Sequence, residues 1–205
     1  MVGLNHTRLT GWAYSLGVKR EEFVPLVWAF VYFFCLLCGY SILRPVRDEM
    51  AIEGGLKHLP WLMTATFLTM LAATPLFAWL SARCSRYRLL LTVYAFFIVN
   101  LLAFYALMMS HLYPEWVARS FFVWLSVMNL FIVSVFWSFM ADLFTPEQAA
   151  RLFGVIAAGG SSGALVGPLI TTGLTFIVPV PVLMLASMLF LALCLGCVYR
   201  LDQWG

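Results

Sequence analysis

The stretch FVPLVWAFVYFFCLLCGYSIL, Phe23–Leu43, runs straight into RPVRDEM, Arg44–Met50. Its 21 uncharged residues are enough for an α-helix to cross about 30 Å of hydrocarbon. Arg44, Arg47, Asp48 and Glu49 then follow within six positions. Two readings are open for these charges. They are the water-facing end of the helix, with the arginines snorkelling to the interface. Alternatively they form a working site, because an ionisable residue at membrane depth marks function by default. If the helix continues past Pro45, then Arg44, Arg47 and Asp48 share one face at i, i+3 and i+4, with Tyr40 on the same face. Two guanidiniums and one carboxylate leave a net positive charge suited to a phosphate or carboxylate held by two bonds.

The rest of the chain has the same character. It is 63% hydrophobic and 10% charged, against roughly 45–50% and 25% in soluble domains. Mean hydropathy is +0.96. Further uncharged runs cover Leu59–Ala82, Leu89–Ser110, Ser120–Ala141 and Leu152–Tyr199. The last is too long for one span of about 20 residues, and VPVP, Val178–Pro181, breaks it, since two prolines remove donors and force a turn. The expected fold is an all-α integral membrane bundle of six transmembrane helices. No segment alternates polar with apolar residues as the strands of a membrane barrel do. Residues 1–22 form a polar segment in which Trp12 and Tyr14 beside Lys19 and Arg20 suggest an interfacial helix. Residues 23–200 form the bundle and 201–205 a short tail. No secretory signal pattern precedes the first span.

Orientation follows the basic residues of the short loops. Arg8, Lys19, Arg20, Arg83, Arg86, Arg88, Arg151 and Arg200 fall on the side of the N-terminus; Arg44, Arg47, Lys57 and Arg119 fall opposite. Both termini are therefore expected in the cytoplasm. Trp61, Tyr87, Tyr113, Trp116, Tyr199 and Trp204 sit near span ends, as an aromatic belt does.

Several motifs invite chemistry. Cys35/Cys38 and Cys194/Cys197 are two C-x-x-C pairs. Inside apolar helices they lack the polar support and entry path a metal needs, and they read as small buried groups; no metal or cofactor is expected. Gly160-Ser161-Ser162-Gly163 fits the G-x-S-G of rhomboid-type proteases. A serine nucleophile needs an adjacent base, yet His6, His58 and His111 all precede it and Lys57 is the last lysine. An enzyme is not expected. Gly159, Gly163 and Gly167 instead share one helix face on which two membrane helices can meet backbone to backbone, and Pro168 allows a bend. In DLFTPEQAARLFG, Thr145 is a good N-cap, Pro146 suits the first helical position, and Gln148 completes a capping box. Helix five is thus expected to start near Pro146, with Asp142, Glu147 and Arg151 as a plain solvated turn or a gating latch. Asn129 and Trp137 on helix four are added as substrate contacts, Trp137 by stacking or by simple packing.

Six helices divide into three plus three, the arrangement of transporters built from inverted repeats. Helices one and four, ending in ILRPVRDEM and SFMADLFTPEQ, occupy corresponding positions. The loop AWLSARCSRYRLL resembles the major facilitator superfamily's G-x-L-A-D-R-x-G-R-R-x-x-L. It agrees at Leu80, Arg83, Arg86 and Leu90 and departs at Ala78, Ala82 and Ser85. YSILRPVRDEM is similar to the I-L-R-x-x-[KR]-D stretch of the nucleotide transporter (ATP:ADP antiporter-like) family. FFVWLSVMNLFIVSVFWSFMADLF and RLFGVIAAGGSSGALVGP also look like its bacterial relatives. The resemblance covers the chain from about Glu21 onward. It implies one six-helix half of a secondary transporter in the bacterial inner membrane, moving a nucleotide or other organic anion by alternating access. A second bundle, the missing half or another copy, would complete the cavity. Arg44, Arg47 and Asp48 are the residues that match, with basic groups on phosphate. Arg83, Arg86, Asp142, Glu147, Arg151, Gly159, Gly163, Gly167 and Pro168 are expected to serve gating and packing. A different class of function, a membrane module docking a partner subunit through its glycine face, is the alternative.

Overall fold

The computed structural model describes residues 19–53, 59–83, 85–110 and 114–204. The segment before residue 19, with Arg8, Trp12 and Tyr14, lies outside them, as do Lys57, His58, Cys84, His111, Tyr113 and the side chains of Arg20 and Arg86. Among the described residues all regular structure is helical. The helices are α1 (Arg20–Glu53), α2 (Leu59–Arg83), α3 (Arg86–Ser110), α4 (Pro114–Leu143), α5 (Pro146–Thr175) and α6 (Leu183–Asp202). A short 3-10 turn, Val180–Val182, stands where VPVP was expected to break the last run. Each helix holds a stretch long and apolar enough to cross a membrane, and the fold is a six-helix membrane bundle.

The helices outrun the uncharged spans, α1 and α4 among them. α1 does not stop at Leu43 but continues through Pro45 to Glu53, and α4 begins at Pro114, ahead of Ser120. Charges do not end a helix, because they sit at its margins on side chains that reach outward. Pro45 lies on an exposed side of α1, where its ring meets little.

α1 is the axis of the bundle: 61% of its span is buried within the chain, against 11% for α2. Apolar burial drives helices together weakly in lipid, so close contact and interhelical hydrogen bonds decide the partners. α5 runs parallel to α1 in one constant register. A Cβ on Gly159 would stand 2.6 Å from the Phe30 carbonyl oxygen, and one on Gly167 would stand 2.9 Å from that of Cys38. Between them Gly163 lies on the Phe34 carbonyl. Beyond the glycines, the Thr171 hydroxyl donates to the carbonyls of Gly167 at 3.1 Å and Ile42 at 3.5 Å. α6 runs antiparallel, with Ser187 Oγ donating to the Gly39 carbonyl at 2.9 Å and Cys194 Sγ lying 3.7 Å from that of Tyr32. Cys35, Cys38, Cys194 and Cys197 are buried thiols packed in this core. α4 is also antiparallel: Phe33 stacks on Phe136 with centroids 4.2 Å apart. α3 closes the far side through the buried hydroxyl pair Tyr32–Tyr94.

This geometry corrects the docking alternative. The face of Gly159, Gly163 and Gly167 is buried within the chain, filled by α1, so it is not a surface open to another subunit. Pro168 lies inside α5 and does not end it.

Leucine at Gly163 should force the two backbones apart and cost about 1–3 kcal/mol. Alanine at the exposed Gly173, where a Cβ meets nothing within 4 Å, should leave stability unchanged or slightly higher. Thermal unfolding of the purified protein in detergent checks both.

Candidate functional site: the charged half of α1

The register of α1 against α4 places the residues singled out above. Phe33 meets Phe136 near one end of the pair, and Arg47 lies over Phe122 at 5.3 Å near the other. Midway in that register Tyr40 falls at the level of Asn129, both half-buried. Arg47 and the Tyr40–Asn129 level thus occupy one seam, two turns apart. Arg44 and Asp48 lie on the exposed side of α1. Arg47 is more enclosed, its side chain 21% exposed against 63% for Asp48. Arg47 Nε and Nη2 both donate to Asp48 Oδ1, at 3.1 and 2.9 Å.

Trp137 belongs elsewhere. It packs edge-on against Phe33 and Phe136 and tilted against Phe153, with centroids 5.2–5.3 Å apart. Fourteen positions separate Phe33 from Arg47 on α1, roughly 20 Å of helix rise. Trp137 therefore sits in an aromatic cluster well away from the arginines.

The connection between α4 and α5 folds as its sequence indicates. Thr145 caps α5, with the Gln148 N–H donating to its hydroxyl at 3.4 Å and the Thr145 N–H donating to Gln148 Oε1 at 2.9 Å. Asp142, Glu147 and Arg151 are exposed around this turn. Arg151 Nε donates to the Glu147 carbonyl at 3.3 Å, while its Nη2 forms an ion pair with Glu22 at 3.1 Å. Arg83 lies over the Trp79 ring at 4.7 Å.

Glu22 is the residue that sequence reasoning missed. It is 5% exposed. Its Oε2 accepts the Lys19 N–H at 3.1 Å, and its Oε1 accepts Gln148 Nε2 and Arg151 Nη2, each at 3.1 Å. The signal was an acid three residues into the helix, the capping-box position, hidden because the cap itself is Lys19 and not Ser or Thr.

A cleft of about 1050 Å³ lies apart from these charges, among α2, α3 and α4. Leu62, Ala73, Phe97 and Trp124 line it, and Arg119 at its edge is paired with Glu115 at 3.0 Å. Its walls are mostly apolar, with the hydroxyls of Thr69, Thr92 and Ser120 among them.

A bundle of this kind, with charged and polar groups carried on its central helix, is a multi-pass membrane protein. The model of the TLC ATP/ADP transporter family matches residues 5–120, more than half of the chain, and the chain belongs to that family. No curated protein and no solved structure matches it.

Replacing Arg151 with Ala should leave the buried Glu22 carboxylate short of its cation and cost about 1–3 kcal/mol. The charge-swapped pair Glu22→Arg/Arg151→Glu should recover part of that loss. Unfolding midpoints of the three proteins in detergent decide it.

Proposed function

We propose that this chain forms one six-helix half of a secondary transporter of the major facilitator type, exchanging a nucleotide or related organic anion by alternating access. The observation that carries this reading is Arg47. It stands on an unbroken α1, turned toward α4, with Arg44 one turn away on the exposed side. Membership in a family named for ATP/ADP transport agrees with guanidiniums at that place. Planar guanidiniums bind phosphate oxygens in pairs, and a partly enclosed setting strengthens those bonds.

Tyr40 and Asn129 extend the site along the α1/α4 seam as polar contacts. In a three-plus-three inverted repeat α1 and α4 are equivalent helices, and they meet here as antiparallel neighbours. Trp137 stays outside the site and packs in the aromatic cluster with Phe33, Phe136 and Phe153. The turn holding Asp142, Glu147 and Arg151, together with Arg83 and Arg86, serves gating at the cytoplasmic side. The bacterial inner membrane is the setting, with both termini in the cytoplasm and a second bundle completing the cavity.

Uptake of labelled ATP by proteoliposomes holding the full assembly tests the reading. Arg47→Ala should lower uptake about ten- to a hundredfold, the loss of one to two charge-assisted bonds. Equal uptake by the variant would remove Arg47 from transport.

A further inference from the structure

Resting on that reading, we infer that Asp48 is a placeholder for the substrate: its carboxylate occupies the Arg47 guanidinium in the empty site and is displaced by the anionic group of the solute. Neighbouring residues on a helix point about 100° apart and do not face each other. Arg47 nevertheless reaches Asp48, its immediate neighbour on α1. Its guanidinium carbon lies over the Phe122 ring, 5.3 Å from the centroid. One edge of the guanidinium, Nε and Nη2, converges on the single oxygen Asp48 Oδ1 at 3.1 and 2.9 Å.

That edge is built to meet two oxygens at once, as in a side-on carboxylate or phosphate pair. Here one oxygen takes both donors, so the edge is incompletely matched. A phosphate offering two oxygens fits it better. Asp48 is also the wet partner, with its side chain 63% exposed. An exposed carboxylate that leaves such a pair loses little, because water solvates it at once. The contact of Arg47 with Phe122 does not involve Asp48 and is kept when the carboxylate swings away.

Charge supports the same assignment. Asp48 neutralises Arg47, while Arg44 stays on the exposed side of α1. The empty site therefore keeps the partly enclosed Arg47 guanidinium paired, where leaving it without a counter-ion would be costly. Once the solute's phosphate sits on Arg47, the displaced Asp48 repels it. The bound state is thereby made easier to leave, which favours exchange over tight retention.

The test is ATP and inorganic pyrophosphate binding to the full-length protein in detergent, by titration at fixed salt. Wild type is compared with Arg47→Ala, Asp48→Asn and Glu49→Gln. Asp48→Asn should bind both probes about two- to fivefold more tightly, the range one exposed pair allows. Glu49→Gln, which makes the same change of net charge one residue on, should stay near wild type. Equal tightening in both variants, or none in Asp48→Asn while Arg47→Ala still loses binding, overturns the placeholder and leaves the site standing. Absence of binding by both wild type and Asp48→Asn overturns the site and the placeholder together.

Discussion

The contact of backbone on backbone along α1 and α5 is the constraint from which the rest of the bundle follows. In lipid the surrounding medium is as apolar as the side chains, so helices gain mainly by close van der Waals contact and by bonds between polar groups. Gly159, Gly163 and Gly167 permit that closeness, each lying on the backbone of α1. A stripe repeating every four residues also matches itself when displaced by one turn. The glycines fix which helices meet; they do not fix how far along. The bonds of Glu22 to Gln148 and Arg151 at one end, and of Thr171 to the Ile42 carbonyl at the other, are specific to one displacement and help to set the register.

With α1 anchored in this way, its other sides are assigned. α6 takes the side of Gly39, where Ser187 donates to a carbonyl and Phe190 comes within 2.9 Å of a would-be Cβ. α4 takes the side of Phe33 and Arg47. What is left uncovered toward the end of α1 is the side bearing Arg44 and Asp48. The same helix thus serves as the bundle's mechanical axis and as the bearer of its charges. The division runs along its length: an aromatic core around Phe33, Phe136 and Trp137 at one level, and guanidiniums and a carboxylate about 20 Å further on.

Much of the fold was legible because the bilayer makes few demands and makes them strictly. Backbone groups in hydrocarbon must be satisfied internally, so long apolar runs become helices. The VPVP break and the Thr145 cap followed from local chemistry in the same way. The site was legible only in part. α1 continues past Pro45 as the spacing of Arg44, Arg47 and Asp48 requires, but Arg47 turns to α4 while Arg44 and Asp48 lie on the exposed side. Trp137 is set apart from them by its level along the antiparallel α4, and only the packing shows its aromatic partners Phe33, Phe136 and Phe153. Glu22 was hidden for a related reason. Its burial comes from Gln148 and Arg151, more than 120 positions away.

The sequence by itself determined a six-helix membrane bundle, its VPVP break and Thr145 cap, and the membership of the charged stretch in the first helix. These depend on periodicity, length and local backbone chemistry, all of which are short-range. The tertiary structure alone decided that the glycine face is spent inside the chain, that Arg151 reaches back to Glu22, and that Arg47 rests on Phe122 with Asp48 in its grasp. Those depend on the register between helices. Register is set by the sum of many contacts between residues far apart in the chain, and no short stretch contains it.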